Sequence, residues 1–307
     1  MSQTIKIQNE FERPSERVKC VDLHPTQPWA LLSLYSGTVC IWNYQSQETE
    51  KSFKITESPV RCAKFIRAKD WFVAGADDKM IHVYNYSTEE KIKEFEAHTD
   101  YIRSLDVHPS LPYVLSSSDD KLIKLWDWEK GWECTQTFEG HDHYVMQAVF
   151  NPKETNTFAS ASLDAKTMIW NLGSPDPKHV LEGHSKGVNT VEFFVTGDKS
   201  FVVTGSDDFT AKVWDYQTGT CLHTLEGHTN NVTSLRVLPN VPNGPLIITG
   251  SEDATIRVWN ATTYRVEKTI ISKFGRVWTI GCMTSSAQIV AGCDQGTIIG
   301  EVIYAST

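Results

Sequence analysis

The stretch that decides the fold of this chain is GHSKGVNTVEFFVTGDKSFVVTGSDDFTAKVWD, residues 183–215. It opens on Gly-His, carries Asp208 six residues before Trp214, and closes on Trp-Asp. The closing word, or a variant with Asn or Tyr, recurs along the chain at steps of 42, 42, 44, 44 and 45 residues. Its anchors are Trp42, Tyr84, Trp126, Trp170, Trp214 and Trp259. Such self-similarity indicates a repeat architecture in which each unit buries its apolar faces against its neighbours.

A period of roughly 40–45 residues with a Trp-Asp ending is typical of four-stranded β-propeller blades. Six anchors predict six blades, and segment 276–303 holds three further strand-like apolar runs before the pattern stops. We predict that the N-terminal segment 4–11, which alternates with period two, supplies the missing fourth strand and closes the ring. The predicted fold class is therefore all-β, a single seven-bladed propeller over residues 1–307.

Three further polar positions keep a nearly constant distance from the anchor. An Asp stands six residues before it, a Ser or Thr ten residues before it, and a His roughly 22–25 residues before the Asp. Four sets are complete: His98, Ser116, Asp120 and Trp126; His141, Ser160, Asp164 and Trp170; His184, Thr204, Asp208 and Trp214; His228, Thr249, Asp253 and Trp259. Each set can form one buried hydrogen-bonded group that locks its blade.

This pattern resembles the WD40-repeat family, in which the four residues form a structural tetrad. A Ser/His/Asp collection also suggests a hydrolase, but a catalytic triad occurs once and activates one nucleophile. Because the set recurs four times, we predict a protein that is not an enzyme. Neither His-Glu-x-x-His nor paired Cys-x-x-Cys occurs, so the sequence predicts no metal site and no cofactor.

Three blades depart from the tetrad. Blade 1 has Ser36 at the Asp position. Blade 2 keeps Asp78 but has Ala74 at the hydroxyl position and Tyr84 at the Trp position. In blade 7, counting along the chain places Glu301 at the Trp position. We expect these blades to depend on packing more than on the tetrad.

The composition limits the classes of partner and the cellular compartment that the sequence favours. The formal net charge of −9 argues against a general nucleic-acid binder and favours cationic partners. Neither a membrane-span-length apolar run of roughly 18 residues nor a signal peptide is evident. The 7 cysteines are scattered, several of them in apolar runs, which fits reduced thiols. The sequence therefore predicts a cytoplasmic protein without a transmembrane segment.

Two positions of each repeat are expected to surround the central opening on one face, where the b–c turn and the d–a connection meet. The first, just before the tetrad Asp, holds Tyr35, Asp77, Asp119, Leu163, Asp207, Glu252 and Asp294. The second, at the start of strand a, holds Lys19, Arg61, Arg103, Met146, Asn189, Thr233 and Trp278. Basic residues, including Arg17, cluster on blades 1 to 3, and acidic residues border them. Two other interpretations stay open: acids that merely suit turns, and salt bridges that neutralise each other.

A bipolar pocket suits a bipolar ligand. A peptide that ends in a free carboxylate and carries lysines a few residues upstream has both charges at matching separation. Arginine offers a planar fork to the carboxylate. Asp carboxylates, with Tyr35 against the aliphatic stem, can hold the ammonium groups.

Several stretches go beyond the general repeat pattern and resemble the N-terminal propeller of the coatomer β′ family of the COPI vesicle coat. They are residues 17–29, 34–44, 95–104, 126–132 and 262–269. The resemblance implies recognition of C-terminal dilysine retrieval signals (KKxx or KxKxx) on membrane cargo that returns from the Golgi to the endoplasmic reticulum. It further implies other coatomer subunits as partners, and a peripheral place on Golgi membranes and COPI vesicles.

Carried over position by position, the resemblance implies that Arg17, Lys19, Arg61 and Arg103 bind the peptide carboxylate. It likewise implies that Asp100, Asp119 and Asp207 bind lysine, with Tyr35 lining the pocket, and we add Asp77 from the ring of turn residues. Members of the family continue into a second propeller and a helical solenoid, so we expect this chain to be the cargo-binding domain of a longer subunit. The alternative is a general WD40 interaction scaffold, such as a substrate adaptor or a reader of chromatin peptides.

Overall fold

The computed structural model describes residues 3–239, 241–242, 244–283 and 287–306, with side chains from Glu12 to Ile303 within these ranges. The described chain consists of 28 strands, which form seven four-stranded antiparallel sheets. This confirms the predicted seven-bladed WD40 β-propeller. In these ranges there is no helix of the length and apolarity that crossing a membrane requires.

Blades 1 to 6 are each built from four consecutive strands in the order a, b, c, d. Blade 1 comprises β2 (Val18–Leu23), β3 (Trp29–Leu34), β4 (Thr38–Asn43) and β5 (Glu48–Lys54); blade 2 comprises β6 (Val60–Ile66), β7 (Trp71–Ala76), β8 (Met80–Asn85) and β9 (Lys91–Glu96); blade 3 comprises β10 (Ile102–Val107), β11 (Tyr113–Ser118), β12 (Ile123–Asp127) and β13 (Glu133–Phe138).

The second half of the ring repeats this arrangement. Blade 4 comprises β14 (Val145–Phe150), β15 (Thr157–Ser162), β16 (Lys166–Asn171) and β17 (His179–Glu182); blade 5 comprises β18 (Val188–Thr196), β19 (Lys199–Ser206), β20 (Ala211–Asp215) and β21 (Cys221–Leu225); blade 6 comprises β22 (Val232–Leu238), β23 (Leu246–Ser251), β24 (Thr255–Asn260) and β25 (Val266–Ile271).

Blade 7 closes the ring with both ends of the chain. Strands β26 (Val277–Met283), β27 (Gln288–Cys293) and β28 (Gly296–Ser306) form its a, b and c strands, and β1 (Gln3–Pro14) pairs with β28 as strand d. The predicted closing strand is therefore present, and it is longer than segment 4–11. A register shift between Gln8 and Phe11 interrupts the β1–β28 pairing. Pairing the termini removes two sheet edges that would otherwise be exposed.

The apolar core lies between neighbouring sheets. One cluster combines Phe138 of blade 3 with Phe158 and Trp170 of blade 4. The Phe138 and Phe158 ring centroids lie 4.7 Å apart at an interplanar angle of 76°, an edge-to-face geometry that aromatic pairs favour. Each blade thus buries its faces against its neighbours rather than within itself, as the repeat period requires.

The b–c turns explain why blade 7 departs from the repeat. In blades 2 to 6, the residue after the tetrad Asp is left-handed without being glycine, for example Lys121 (φ 71°) and Ala165 (φ 69°). The Asp itself supports this turn: Asp120 Oδ1 accepts the N–H of Leu122 at 3.0 Å. Such local bonds offset the steric cost of the left-handed residue.

Blade 7 has a turn that is one residue shorter, which changes an assignment made from the sequence. In blade 3 the strand-b residue Val114 pairs with Trp126. The corresponding strand-b residue of blade 7 is Ile289, and it pairs with Gly300. The expectation that Glu301 occupies the Trp position was therefore wrong by one residue. Counting along the chain missed the deletion because the short turn lacks a sequence marker.

Candidate functional site

The four complete tetrads adopt nearly identical geometry. In blade 3 the His98 ring nitrogens lie 2.8 Å from Asp120 Oδ2 and 2.7 Å from Ser116 Oγ. The Trp126 indole N–H donates to the same Ser116 hydroxyl at 2.8 Å. The sets of blades 4, 5 and 6 repeat these contacts at 2.7–2.9 Å. The histidines are buried, so each set occupies the blade interior rather than a surface that a substrate can reach.

In the tetrads of blades 3 and 6, burial shifts the pKa of the histidine. Burial lowers the pKa of His98 and His228 below the ordinary value, so the imidazoles stay neutral. Burial also opposes the charge of Asp120, but hydrogen bonds from His98 and from backbone N–H groups leave the pKa of that carboxyl below its ordinary value. A neutral imidazole against an ionised carboxylate is a structural pair, in line with the blade-locking interpretation.

The blades with an incomplete tetrad show which hydrogen-bonding groups the missing residues would pair with. Trp42 of blade 1 is buried, and among the described residues its indole nitrogen has no hydrogen-bond partner, because Leu32 stands where other blades place a hydroxyl. In blade 2, Asp78 Oδ2 lies 2.9 Å from Nε2 of His82, a residue of the same blade. These blades rely on substitutes or on packing alone.

A β-bulge at the start of every strand a positions the residues around the central opening. In blade 3, Ile102 pairs with Ser118 and Ser104 pairs with Ser117, which leaves Arg103 as the extra residue. The same register shift occurs in all seven blades. The bulged residues, which we call the bulge ring, are Lys19, Arg61, Arg103, Met146, Asn189, Thr233 and Trp278. Bulges re-aim side chains, and here all seven line one cavity.

This cavity has a volume of about 530 Å³ and lies at the end of the central channel where the b–c turns meet the d–a connections. The residues that precede the tetrad position form a second set, the turn ring, which consists of Tyr35, Asp77, Asp119, Leu163, Asp207, Glu252 and Asp294. Of the predicted binding residues, the cavity wall contains Arg17, Lys19, Tyr35, Arg61, Arg103 and Asp207. Asp77, Asp100 and Asp119 are not among the residues that line it.

Asp77 and Asp119 are engaged by arginines of their own blades. Arg61 donates from Nε and, at 2.7 Å, from Nη2 to the Asp77 carboxylate. Arg103 makes the same two-pronged contact with Asp119, which is buried. These pairs bear out the interpretation of neutralising salt bridges for two of the acids. In the described part of the chain, Nη1 of each arginine has no hydrogen-bond partner, and both arginines line the cavity.

Lys19 differs from the two arginines in its surroundings. Its Nζ lies 3.7 Å from the Trp278 ring centroid, a cation–π contact. Across the described ranges no carboxylate forms an ion pair with it. Burial, and then the charges of Arg61, Arg17 and Arg103, lower the pKa of Lys19 to about 7. A cation in such surroundings gains more than an exposed one from an anion that enters the cavity.

Arg17 adds a fourth cation at the same side. Its Nε lies 3.0 Å from Asp294 Oδ1, although the two atoms are not aligned as a hydrogen bond. Its guanidinium carbon is 5.1 Å from the Tyr35 ring centroid and 5.5 Å from that of Trp278. Blades 7, 1, 2 and 3 therefore form a cationic wall with aromatic side chains interleaved.

The opposite side of the cavity is acidic and polar. Asp207 accepts a hydrogen bond from the Asn189 amide at 2.7 Å, and no described cation pairs with it. Glu252 is shared by Asn231 and, at 3.3 Å, by Arg276. The predicted Asp100 is half-buried outside the wall, where its carboxylate accepts the N–H of Tyr101 at 2.8 Å.

The floor is a layer of bonds between blades. Side chains one residue beyond the bulge reach the next blade: Ser104 accepts the N–H of Ala148 at 2.9 Å, and Gln147 accepts that of Val191 at 2.8 Å. Below them, Lys64 pairs with Asp22 at 3.1 Å. A second cavity of about 920 Å³ opens at the other end of the channel, and Lys64 lines both cavities. The floor is thus a rigid base for the cationic and acidic walls.

Sequence reasoning placed the two rings but did not identify how they are held. The bulge leaves no mark in the sequence other than its repeat position. Trp278 was aligned correctly, yet its contact with Lys19 depends on the meeting of blades 7 and 1, which no local pattern reports. Nor did the sequence distinguish Asp207, which lacks a cation, from Asp77 and Asp119.

The comparisons with known proteins agree with this architecture. The family described as WD domain, G-beta repeat matches residues 5–43, 47–85, 89–127, 132–171, 175–215 and 219–260. The chain therefore belongs to the WD-repeat family.

Its curated relatives narrow the class further. The chain is 64% identical over 295 residues to "Coatomer subunit beta'-1" of Arabidopsis thaliana, covering 96% of this chain and 32% of that protein. It is 60% identical over 298 residues to "Coatomer subunit beta'-2" of Oryza sativa, covering 97% and 32%. It is 51% identical over 295 residues to "Coatomer subunit beta'" of Rattus norvegicus, covering 96% and 32%. These similarities confirm the resemblance to the WD40 domain of coatomer β′, and the chain spans about a third of the length of these relatives.

Proposed function

We propose that the cavity recognises the C-terminal tail of membrane cargo that carries a dilysine signal, and that the domain acts within a COPI coat. The observation that carries the proposal is the division of one cavity into two poles. Four cations, Arg17, Lys19, Arg61 and Arg103, occupy one side. On the other side stands Asp207, with which no described cation pairs. A tail with a free carboxylate and upstream lysines is complementary in charge to the two sides of this cavity.

The carboxylate is expected to enter the cationic pole. Within the described residues, Lys19 forms no ion pair, and Nη1 of Arg61 and of Arg103 has no acceptor. An anion that contacts these groups needs no existing ion pair to break. Several charge-assisted bonds that converge in a partly desolvated cavity are stronger than single exposed pairs.

The lysines are expected at the acidic pole. Asp207 offers a carboxylate oxygen beyond the one that Asn189 uses, and the Tyr35 ring, 46% exposed, is available to cover an aliphatic stem. Asp77 and Asp119 can contribute if an incoming ammonium shares them with Arg61 and Arg103. Asp100 contributes a carboxylate to a lysine if the peptide extends beyond the cavity wall.

The coat assignment rests on the relatives. Those proteins are named coatomer subunits, so we propose other coatomer subunits as partners and a peripheral, cytoplasmic location on Golgi membranes and COPI vesicles. A binding module of this kind needs no catalytic chemistry, and the buried tetrads provide none, so we propose that the domain is not an enzyme. A general interaction scaffold remains the competing function, and it predicts no dependence on a free carboxylate.

Isothermal titration calorimetry tests the proposal directly. A ten-residue peptide that ends in Lys-Ser-Lys-Ser-Ser is titrated as the free acid and as the C-terminal amide. We expect binding of the free acid and a loss of at least about tenfold for the amide, since the amide removes the charge that the cationic pole attracts. Equal affinity for the two peptides would contradict the carboxylate site. A peptide with both lysines replaced by norleucine tests the acidic pole in the same way.

A further inference from the structure

Blade 4 interrupts the polarity of both rings at the same place. Met146 is the one non-aromatic apolar member of the bulge ring, and Leu163 is the one such member of the turn ring. The Leu163 N–H donates to the Tyr144 carbonyl oxygen at 3.0 Å, which holds the two loops together. Tyr144, Met146 and Leu163 are half-buried, and all three line the cavity.

The fold does not require apolar side chains at these positions. Blade 4 keeps a complete tetrad, and its turn has the same left-handed residue as its neighbours: φ is 69° at Ala165, 71° at Lys121 and 72° at Phe209. Blades 3 and 5 build that turn with Asp119 and Asp207 at the position of Leu163. Apolar surface that faces a water-filled cavity carries a free-energy cost, which an apolar group of a ligand removes.

The apolar surface lies between the two charged poles. On one side, the Arg103 guanidinium carbon is 5.9 Å from the Tyr144 ring centroid. On the other side, Leu163 packs against Gly187: a Cβ at Gly187 would lie 2.6 Å from Leu163 Cδ2 and 3.3 Å from Asp207 Oδ2. A chain that runs from the cationic pole to Asp207 along this side therefore passes over Tyr144, Met146 and Leu163.

From this placement we propose that Tyr144, Met146 and Leu163 form an apolar subsite for the side chain of one of the two residues between the last lysine and the free carboxylate of the tail. The inference rests on the proposed function, because it assumes that the tail spans the two poles. The site then selects tails with an aliphatic side chain at that position over tails with serine, glycine or aspartate there. It adds a selective element to residues that the dilysine pattern leaves unspecified.

A set of three free-acid peptides tests the subsite by calorimetry. They end in Lys-Ser-Lys-Ser-Ser, Lys-Ser-Lys-Leu-Ser and Lys-Ser-Lys-Ser-Leu, so that one leucine is moved through the two candidate positions. We expect one leucine peptide to bind roughly fivefold or more tightly than the Ser-Ser peptide. The reason is that its leucine side chain moves out of water and becomes buried against the apolar surface of blade 4. Equal affinities for all three peptides overturn the inference.

Variants separate the subsite from a general apolar effect. In the double variant Met146→Ser/Leu163→Ser, the leucine preference is expected to fall to within about twofold, because the apolar surface is gone. Leu222→Ser, which alters a 42% exposed leucine on the outer strand of blade 5, is the matched control and keeps the preference. A full leucine preference in the double variant overturns the inference.

Folding and the proposed function have their own readouts. The single variant Leu163→Met keeps an apolar side chain and is expected to retain the preference, so it guards against a double variant that folds poorly. If the Ser-Ser peptide binds as the acid and not as the amide while leucine has no effect, only the subsite fails. If no dilysine peptide binds, the proposed function fails and the subsite fails with it.

Discussion

The tetrads and the bulge ring occupy equivalent positions of the same repeat, but the tetrad residues are nearly constant from blade to blade and the bulge-ring residues vary. In the tetrads, blades 3 to 6 place the same kinds of side chain at the same positions, and the contacts agree to within 0.2 Å, from 2.7 to 2.9 Å. At the rim, seven equivalent bulge positions hold Lys, Arg, Arg, Met, Asn, Thr and Trp. The tetrad is constant because every blade needs the same lock. The rim varies because the backbone bulge, not the side chain, satisfies the fold there, which leaves the identity free to serve a ligand.

The largest effect is expected from breaking a lock. His98→Ala removes one hydrogen-bond partner from Asp120 and one from Ser116, and it opens a void in the blade. We expect the free energy of unfolding to fall by about 2–4 kcal/mol, since buried polar groups lose their bonds. Chemical denaturation monitored by tryptophan fluorescence measures it. Lys268→Ala, at an exposed lysine on the outer strand of blade 6, is the control and should change stability by less than about 0.5 kcal/mol. A similar loss in both variants would mean that the tetrad contributes nothing specific.

A substitution in the bulge ring is expected to lower peptide affinity without lowering stability. Lys19→Met removes a half-buried cation that forms no described ion pair and that three arginines repel. We expect affinity for a free-acid dilysine peptide to fall by at least about tenfold, while the unfolding midpoint stays constant or rises.

Arg61→Met provides the contrast to Lys19→Met. It leaves the Asp77 carboxylate without its arginine, so stability and affinity should fall together. Calorimetry and thermal unfolding on both variants make the distinction. An unfolding midpoint that falls as far for Lys19→Met as for Arg61→Met would show that Lys19 stabilises the fold rather than the ligand.

Binding should also weaken as pH rises through neutrality. With a pKa of about 7 in the empty cavity, Lys19 is charged at pH 6 and mostly neutral at pH 8. The carboxylate favours the charged form, so above pH 7 binding must take up a proton. Affinity at pH 8 is then expected to be up to about tenfold lower than at pH 6.

Two readouts check this pH dependence. Calorimetry at pH 7.5 in buffers of different ionisation enthalpy should report proton uptake on binding. Lys19→Arg stays charged throughout this range and should abolish the dependence. The charged groups that act on Lys19 are Arg17, Arg61, Arg103 and Glu252. A pH dependence that persists in Lys19→Arg would exclude Lys19 as its source.

The smallest effect concerns one hydrogen bond. Trp170 and Trp42 are equivalent and fully buried. The Trp170 indole N–H donates to the Ser160 hydroxyl at 2.8 Å, whereas the Trp42 indole N–H has no acceptor within the described ranges. Trp170→Phe should therefore lower the free energy of unfolding by about 1 kcal/mol more than Trp42→Phe. Both changes remove a similar ring volume, so the difference in denaturation midpoint isolates the hydrogen bond. Equal losses would show that the tetrad bond is energetically silent.

The sequence predicted most of the fold because a repeat carries its own alignment. The Trp anchors and the Asp six residues earlier are local, and they located six blades and four locks. Strand-like apolar runs in segment 276–303 and the alternating segment 4–11 supplied the seventh blade and its closing strand. The exception lies in blade 7, where one missing turn residue shifts the pairing so that Gly300 faces Ile289. A turn that shortens without a sequence marker is seen only once the strands are paired.

The sequence by itself determined the ring, the locks and the positions that face the cavity, because strand periodicity and repeat length are properties of neighbouring residues. Only the tertiary structure decided how the charges are distributed. It paired Arg61 with Asp77 and Arg103 with Asp119, and it placed Lys19 beside Trp278, where no described carboxylate forms an ion pair with it. The physical reason is that such pairing depends on rotamers and on distances across blade boundaries of a few ångströms. The repeat period specifies neither.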